Sequence, residues 1–258
     1  MDLQLKDKIV IVTGGAKGIG LGIVQQLAAE GAVPVIVGRN QQDNEEALAS
    51  IGGKGWQVTA ELSDPAASPM AVQAVMEKYD RIDGLVNNAG ANDGVGLAGG
   101  SYEAFMASLH RNVVHYYLMA HHALPALKAS SGAIVNISSK TAETGQGGTS
   151  AYAAANGGRN ALTREWAVEL LPYSIRVNAI VVAECWTPLY ESWISQQSNS
   201  EEMLRAIVSH IPLEKRMTTT AEIAAMACFL LSARSSHTTG QLIHVDGGYV
   251  HLDRAISR

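Results

Sequence analysis

A serine and a tyrosine are placed where both hydroxyl groups could meet over one oxygen atom of a small molecule. Ser139 lies just past a strand-like apolar run, and Tyr152 follows thirteen residues later, near the start of a helical stretch. The pair therefore predicts a site that holds one substrate oxygen. Tyr152 as a core residue of an amphipathic helix is the alternative interpretation.

A glycine-rich turn near the amino terminus is typical of a site for nucleotide phosphates. Thr13 to Gly20 reads T-G-G-A-K-G-I-G and lies between a strand-like run and a helical stretch. Gly14 suits a tight turn, Gly18 lets the backbone approach a pyrophosphate, and Gly20 lets helix and strand touch. The helix would face the phosphates with unpaired N–H groups. A merely flexible turn is the alternative for glycines alone.

Two cations indicate which dinucleotide would bind. Arg39 follows the second strand-like run, where an acidic residue would bind an adenosine ribose, and Lys17 lies in the glycine turn. Two positive charges at that corner suit the 2′-phosphate of NADP. Two solvated surface charges are the alternative, and NAD remains possible. Glu61 and Leu62, after the third strand-like run, are expected to flank the adenine.

A second candidate cofactor surface is the sequence N-N-A-G from Asn87 to Gly90, after the fourth strand-like run. Asparagine side chains can tie a strand end to its neighbours, and the small pair Ala89 and Gly90 lets a flat cofactor lie against the backbone. An asparagine-rich turn without a ligand is the alternative.

Strand-like runs alternate with helical stretches along the chain. The predicted strands are Lys8–Val12, Val33–Val37, Trp56–Thr59, Ile82–Val86, Ala133–Ile137, Ile175–Val181 and Gln241–Val245. The predicted helices are Leu21–Glu30, Asp43–Ile51, Ala66–Tyr79, Tyr102–Leu127, Ala151–Leu171 and Thr220–Leu231. Seven strands with helical crossovers predict an α/β fold, a doubly wound parallel sheet with helices on both faces, in one domain over residues 1–258. Ligands of such sheets bind beyond the carboxyl ends of the strands.

Composition excludes several other classes of protein. The 258 residues are 47% hydrophobic and 17% charged, with a net charge of −5 and no basic run, which argues against a nucleic-acid partner. Cys185 and Cys228 form no disulfide framework and have no metal-ligand spacing. No apolar run approaches about 20 residues, and the first residues are polar, so we expect no membrane segment and a cytoplasmic protein.

Three histidines on the longest predicted helix do not form a metal site. His115, His121 and His122 stand at i, i+6 and i+7, which does not bring them to one metal-binding face. We expect them at the helix surface or in an interface, and we expect no bound metal.

These features together resemble the short-chain dehydrogenase/reductase family from Lys8 to about Tyr249. The resemblance rests on T-G-G-A-K-G-I-G, N-N-A-G, the Asn112 of R-N-V, N-I-S-S at Asn136 to Ser139, Tyr152, and V-D-G-G at Val245 to Gly248. It implies a Rossmann-fold oxidoreductase that moves hydride between a nicotinamide and an alcohol or carbonyl.

The resemblance also implies a role for individual residues. Tyr152 would be the acid/base, Ser139 would bind the reacting oxygen, and Asn112 would anchor a water in a proton relay. Thr187, after the sixth strand, would touch the nicotinamide carboxamide or a phosphate. The cofactor-binding residues expected from motif and resemblance are Gly14, Lys17, Gly18, Ile19, Gly20, Arg39, Glu61, Leu62, Asn88, Ala89, Gly90 and Thr187.

One position departs from the family in the site itself. The family has lysine four residues after the tyrosine, where it holds the nicotinamide ribose and favours the tyrosinate, but this chain has Asn156. Free tyrosine has a pKa of about 10, so a nearby cation matters for its use as a base. Asn156 can bond a ribose hydroxyl without charge. The enzyme is then slow but active, or a binding protein without turnover, or Asn156 is an introduced substitution; Lys140 is a candidate replacement cation.

A second departure follows the sixth strand. Where the family has N-x-x-x-P-G, this chain reads Asn178 to Ala183 without proline or glycine. The change removes a preset turn and alters where the backbone goes near the nicotinamide.

The loops around the centre predict a polar substrate. Many hydrogen-bonding groups with a few aromatic rings suit a sugar or polyol better than a lipid. A segment at about residues 186–210 is a predicted lid. The residues expected to contact substrate are Asp93, Lys140, Gln146, Glu184 and Trp193, with Asn92, Trp186 and Tyr190 nearby.

Four local patterns look like those of bacterial L-fucose dehydrogenases within the family. They are N-D-G-V-G-L from Asn92, S-S-K-T-A-E-T-G-Q-G from Ser138, A-L-T-R-E-W-A from Ala161 and T-P-L-Y from Thr187. This resemblance implies oxidation of L-fucose or a related aldose to its lactone. Reduction of a 3-oxoacyl thioester is the rival chemistry, and a catalytically impaired dinucleotide-binding protein is a further alternative. The resemblance also implies a homotetramer built on the helices Tyr102–Leu127 and Ala151–Leu171.

Overall fold

The computed structural model describes residues 1–252, so the last six residues of the expected domain, 253–258, lie outside the described part. Seven parallel strands form one sheet in the order β3-β2-β1-β4-β5-β6-β7. The predicted doubly wound parallel sheet is confirmed. The strands are β1 Ile9–Thr13, β2 Val33–Gly38, β3 Trp56–Thr59, β4 Gly84–Asn87, β5 Ala133–Ser139, β6 Arg176–Val182 and β7 Leu242–Val245.

Helices cover both faces of the sheet. Side chains alternate across a strand, so Ile9 and Ile11 of β1 pack in one core layer and Val10 and Val12 in the other. The first layer includes residues of α3, α5 and α6, and the second includes residues of α1, α2 and α9. The helices are α1 Gly18–Ala29, α2 Gln41–Ser50, α3 Ala67–Tyr79, α4 Tyr102–Leu109, α5 His115–Ser130, α6 Ser150–Glu169, α7 Pro188–Ser195, α8 Ser200–Ser209 and α9 Thr220–Leu231.

The strand order reverses beside β1, which pairs with β2 on one side and with β4 on the other. A crevice opens at such a reversal, beyond the carboxyl ends of the strands. The glycine turn follows β1, the N-N-A-G segment begins at the last residue of β4, and Ser139 ends β5, so the fold gathers the sequence motifs at this edge.

The longest predicted helix is interrupted in the structure. A π-helical turn, His110–Val114, separates α4 from α5 and contains Asn112. Such turns add a residue to one helical turn and re-aim the side chains around it, which hydrophobic periodicity does not reveal. Among the described residues, no helix is long and apolar enough to cross a membrane.

Candidate active site

The glycine turn is held in a conformation that requires glycine. Gly14 has φ +63°, and a Cβ on Gly20 would lie 2.1 Å from the Gly14 carbonyl oxygen. The Asn88 side chain donates from Nδ2 to the carbonyls of Thr13, at 2.9 Å, and Gly14, at 3.2 Å. Gly20 therefore packs the start of α1 against the turn itself.

The start of α1 provides a cradle of the kind that dinucleotide phosphates occupy. No side chain caps α1 at Lys17, so no side-chain acceptor covers the N–H groups of its first turn. Thr187 lies next to the first residue of α1, since a Cβ on Gly18 would be 3.4 Å from Thr187 Cβ. The Thr187 hydroxyl accepts a hydrogen bond from Tyr190 N at 3.2 Å and caps α7. The glycine turn at Gly18 and the start of α7 at Thr187 therefore lie close to each other.

Both predicted cations of the NADP corner stand beside carboxylates. Lys17 Nζ lies 2.7 Å from the Asp43 carboxylate, and Arg39 Nη1 lies 3.8 Å from that of Glu61. Ser63 and Arg39 hold the pKa of Glu61 below its usual value against the effect of its partial burial. Asn40 caps α2 by accepting from Asp43 N at 3.0 Å.

A chain of buried amides ties the strand ends to the helices. Asn87 Nδ2 donates to Asn136 Oδ1 at 3.0 Å, and Asn136 Nδ2 donates to Thr163 Oγ1 of α6 at 2.9 Å. The Tyr116 hydroxyl of α5 donates to the Ile137 carbonyl at 3.1 Å. These bonds fix α5 and α6 against β4 and β5, the elements that carry the predicted chemistry.

Ser139 and Tyr152 lie on elements that pack together. The Ser138 hydroxyl donates to the Asn156 carbonyl of α6 at 3.5 Å, and the short 3-10 turn Lys140–Ala142 packs on the same helix. Ser139 Oγ accepts from Thr141 N at 3.3 Å, which orients the serine. Tyr152 stands in the first turns of α6 and is partly exposed.

Both ends of the Asn156 side-chain amide form hydrogen bonds within the protein. It is fully buried, its Nδ2 donates to the Tyr152 carbonyl at 2.8 Å, and its Oδ1 accepts from Arg159 at 2.9 Å. The predicted bond to a ribose hydroxyl would have to use the second Nδ2–H.

Arg159 is the residue that our sequence reasoning missed. It is 3% exposed and bonds three segments: its Nε donates to the Asn112 carbonyl at 2.6 Å, and its Nη1 donates to the Ile137 carbonyl at 3.1 Å and to Asn156. The signal was present, since Tyr152, Asn156 and Arg159 stand at i, i+4 and i+7 on one helix face. An arginine on the buried face of a helix calls for an explanation.

Asn112 is held from several directions. Its Oδ1 accepts from Ala91 N at 2.9 Å, its Nδ2 donates to the Ser108 carbonyl at 3.0 Å, and its own carbonyl accepts from Arg159. One lone pair of the Asn112 carbonyl is therefore already used, and the expected anchoring of a relay water by Asn112 stays a prediction.

Lys140 is paired and is not a free cation beside Tyr152. Lys140 and Glu184, both nearly buried, form an ion pair, and Lys140 Nζ lies 4.2 Å from the ring centre of Tyr249. Burial and the Glu184 carboxylate raise the pKa of Tyr190. Tyr190 also stacks edge-on with Trp193, at 5.3 Å between ring centres. The structure thus brings together three predicted substrate residues: Lys140 pairs with Glu184, and Tyr190 links Glu184 to Trp193.

The other two predicted substrate residues lie differently. Asp93 accepts from the Ser108 hydroxyl at 2.9 Å and pairs with Arg111 at 3.4 Å, so it anchors its loop to α4. Gln146 is exposed on the loop before α6.

The histidines differ from expectation in one respect. His115 is buried within the chain at 1% exposure, with Nε2 2.9 Å from the Arg111 carbonyl, so its predicted place at the helix surface or in an interface is wrong. Burial and the Arg159 charge lower the pKa of His115 to about 4. Elsewhere in the described residues, Glu143, His244 and His251 bring ligating atoms within 4.8 Å of one another, and His244 is already paired with Glu143 at 3.0 Å.

Comparison with known proteins decides the family. A family model described as enoyl-(acyl carrier protein) reductase matches residues 14–250. The 3-oxoacyl-[acyl-carrier-protein] reductase of Chlamydia pneumoniae is 34% identical over 97% of this chain and 100% of its own length. A solved structure described as a short chain dehydrogenase/reductase family protein is 33% identical, covers 96% of this chain and 99% of that one, and has a TM-score of 0.83. The chain belongs to the short-chain dehydrogenase/reductase family.

Other family members are similar over the whole chain. The sorbitol-6-phosphate 2-dehydrogenase of Klebsiella pneumoniae is 34% identical over 95% of this chain and 97% of its own length. The crystal structure of Cj0485 dehydrogenase is 44% identical, covers 99% of this chain and 98% of that one, and has a TM-score of 0.95. The chain is therefore an NAD(P)-dependent short-chain oxidoreductase with a single-domain Rossmann fold.

Proposed function

We propose that this enzyme oxidises the anomeric hydroxyl of a small aldose, such as L-fucose, to the lactone, with NADP as the acceptor. The observation that carries the substrate class is the Lys140–Glu184 ion pair. An ammonium and a carboxylate fixed together offer several directed donors and acceptors, as a sugar requires. The aromatic rings of Tyr190, Trp193 and Tyr249 supply a flat apolar surface in the same place.

The residues present fit a dinucleotide. A side chain at Gly14 or Gly20 would press on the turn itself, so the backbone of the turn stays bare, and the uncapped start of α1 leaves its first N–H groups available to a phosphate. Ile19 lies in the same first turn, and Asn88, Ala89 and Gly90 form the backbone surface expected to contact the cofactor after β4. Glu61 and Leu62 are proposed to flank the adenine. A nicotinamide dinucleotide held by these residues would supply the acceptor for the hydride of the anomeric carbon.

The chain's own residues handle the oxygen and its proton. Ser139 holds the reacting hydroxyl, and Tyr152 takes its proton as the C–H bond breaks. Asn112 and Asn156 hold the surroundings of Tyr152 through the bonds described above. The overall reaction converts the aldose and the oxidised cofactor into the lactone, the reduced cofactor and one proton.

The preference for NADP rests on Lys17 and Arg39. No carboxylate stands directly after β2, where it would repel a 2′-phosphate. The exposed pairs with Asp43 and Glu61 are weak enough for both cations to turn toward a phosphate.

The segment at about residues 186–210 is proposed to close over the substrate. It contains α7 and α8 and exposes Trp186, Leu189, Trp193 and Met203. Exposed apolar side chains beside a cleft favour a segment that buries them on ligand binding.

We also propose a homotetramer in the cytoplasm. Exposed large apolar side chains lie on or just after the two helices expected at the interfaces, namely Tyr117 of α5, Val168 of α6, and Leu171. Cys185 and Cys228 are free thiols, which suits a reducing compartment. Light scattering on the purified chain tests the assembly, and a mass of one or two chains contradicts it.

A panel of substrates tests the function. We expect NADP reduction with L-fucose or a stereochemically related aldose, and much slower NADPH oxidation with an acetoacetyl thioester. The alternative function, reduction of a 3-oxoacyl thioester, is favoured by the 34% identity to a 3-oxoacyl-[acyl-carrier-protein] reductase. A faster rate with the thioester than with every aldose would establish that alternative. If the chain binds a dinucleotide but turns over neither the aldoses nor the thioester, it is a catalytically impaired binding protein. Asn156, taken alone, favours that function.

A further inference from the structure

The charge of Arg159 has no carboxylate partner in the described part of the chain. Its hydrogen bonds go to the carbonyls of Asn112 and Ile137 and to the amide oxygens of Asn156 and Asn112. Lys140, by contrast, is neutralised by Glu184. A buried cation that only neutral oxygens surround stabilises any anion that forms nearby.

Two phenols face this cation. The Arg159 guanidinium carbon lies 4.3 Å from the ring centre of Tyr116 and 5.9 Å from that of Tyr152. Tyr116 is fully buried, and its hydroxyl is committed to the Ile137 carbonyl. Tyr152 is partly exposed, so it is the phenol that can exchange a proton with a ligand.

Helix geometry explains how an arginine two turns along reaches back to the tyrosine. Side chains on a helix lean toward its amino terminus, and Arg159 lies on the face of α6 that carries Tyr152 and Asn156. A Cβ on Gly90 would lie 2.7 Å from Arg159 Nη2. The guanidinium therefore lies directly behind the backbone proposed to contact the cofactor.

Asn156 fits this arrangement where a lysine would not. Its Oδ1 accepts from Arg159 Nη1 while its Nδ2 donates to the Tyr152 carbonyl, so the amide fixes the guanidinium against the helix. An ammonium at the same position would face the guanidinium as a second buried positive charge.

We propose that Arg159 is a positioning residue that takes over the electrostatic task of the missing lysine, stabilising the anionic form of Tyr152, with Asn156 as its holder. The inference rests on the proposed role of Tyr152 as acid/base. The other titratable groups facing this cluster are His115 and Tyr116 of α5, and the Glu61 carboxylate also acts electrostatically on His115. Burial and the Arg159 charge keep His115 neutral near pH 7, since they lower its pKa to about 4.

Tyrosinate absorbance near 295 nm, titrated against pH, tests the inference without any substrate. The signal of Tyr152 is the difference between the chain and its Tyr152→Phe variant. In an Arg159→Met background the midpoint of this difference is expected about 1 to 2 pH units higher, a 10- to 100-fold loss of tyrosinate at a given pH. Arg164→Met, the same change at an exposed arginine of α6, is the control and leaves the midpoint in place.

Rescue separates charge from packing. The double variant Asn156→Lys with Arg159→Met restores the family's cation, so its midpoint and the acid limb of kcat against pH are expected to return toward those of the unchanged chain. A structural role for Arg159 predicts no such return. An unshifted midpoint in Arg159→Met overturns the inference, as does a shift that the double variant leaves in place.

One variant keeps Arg159 and serves even where Arg159→Met does not fold. Asn156→Lys alone is expected to lower kcat near neutral pH several-fold, because it sets two cations side by side. A tenfold gain in kcat instead overturns the inference, since it would show that the charge had been missing. Full activity in Tyr152→Phe would refute the proposed role of Tyr152 separately, and failure of every aldose would refute only the substrate.

Discussion

Asp43 holds Lys17 by an ion pair of 2.7 Å at the corner where a 2′-phosphate would bind. In the proposed NADP site the acid would compete with the phosphate for the same ammonium, so this corner would both attract NADP and partly block it. Because the pair is exposed, the block is small. Asp43→Asn is expected to tighten NADP binding by about threefold to tenfold and to leave NAD binding within twofold.

Arg39→Asp is the opposite change at the same corner. It puts a carboxylate where the 2′-phosphate would lie, so we expect the ratio of NADP to NAD affinity to fall by about 100-fold. Fluorescence titration of each reduced dinucleotide measures the dissociation constants. If the variant binds NADP as tightly as the unchanged chain and does not bind NAD more tightly, Arg39 does not contact a 2′-phosphate and the proposed preference for NADP is wrong.

Gly20→Ala tests the glycine turn. The added methyl group would lie 2.1 Å from the Gly14 carbonyl oxygen and 2.6 Å from Asn88 Nδ2, so the turn or α1 must shift. We expect at least a 100-fold loss of dinucleotide affinity and about 2 kcal/mol less stability toward urea. Gly99→Ala is the control, since a Cβ there meets nothing within 4 Å. Equal affinity in the two variants would show that the turn tolerates a side chain.

The sequence alone predicts the sheet and its crevice because strands buried on both faces are long apolar runs with helices between them. The glycine turn could be located because Gly14 and Gly20 occupy positions where a Cβ is not accommodated. Partners distant in sequence could not be predicted in this way. The pairing of Lys140 with Glu184, 44 residues apart, depends on how β5 and β6 set their loops side by side.

The misplacement of His115 has a related cause. Spacing along a helix tells which residues share a face, but not which face the neighbouring elements cover. The π-helical turn before His115 rotates the face further, and it carries no apolar periodicity that would reveal it. The position of Arg159 on the same helix face as Tyr152 can be predicted from the sequence spacing. Its burial, which makes its charge significant, is seen only in the structure.

Breaking the Lys140–Glu184 pair tests the proposed sugar site. Removing one partner leaves the other charge buried alone, which costs about 3 to 5 kcal/mol in comparable cases. Lys140→Met and Glu184→Gln are each expected to lower thermal stability and to raise the aldose KM at least tenfold. The double variant recovers stability, because neither charge is then unpaired, but not KM.

The two readouts separate a structural ion pair from a substrate contact. Lys54→Met, the same change at an exposed lysine before β3, is the control for both. Recovery of KM together with stability in the double variant would show that the pair serves the fold and that the sugar is bound elsewhere.

We expect His115 to make the folded chain sensitive to mild acid. Its pKa is lowered from 6.5 to about 4, first by burial and then by the Arg159 charge, so the unfolded chain binds a proton more readily than the folded one. We therefore expect the contribution of His115 to folding stability to be fully present above pH 6.5 and to be lost, by about 3 kcal/mol, as the pH decreases toward 4. Urea unfolding at pH 7.5, 6 and 5 measures the slope. His115→Gln is expected to flatten it in that window, whereas His237→Gln, at an exposed histidine, preserves it; a slope unchanged by His115→Gln would place the acid sensitivity in another group.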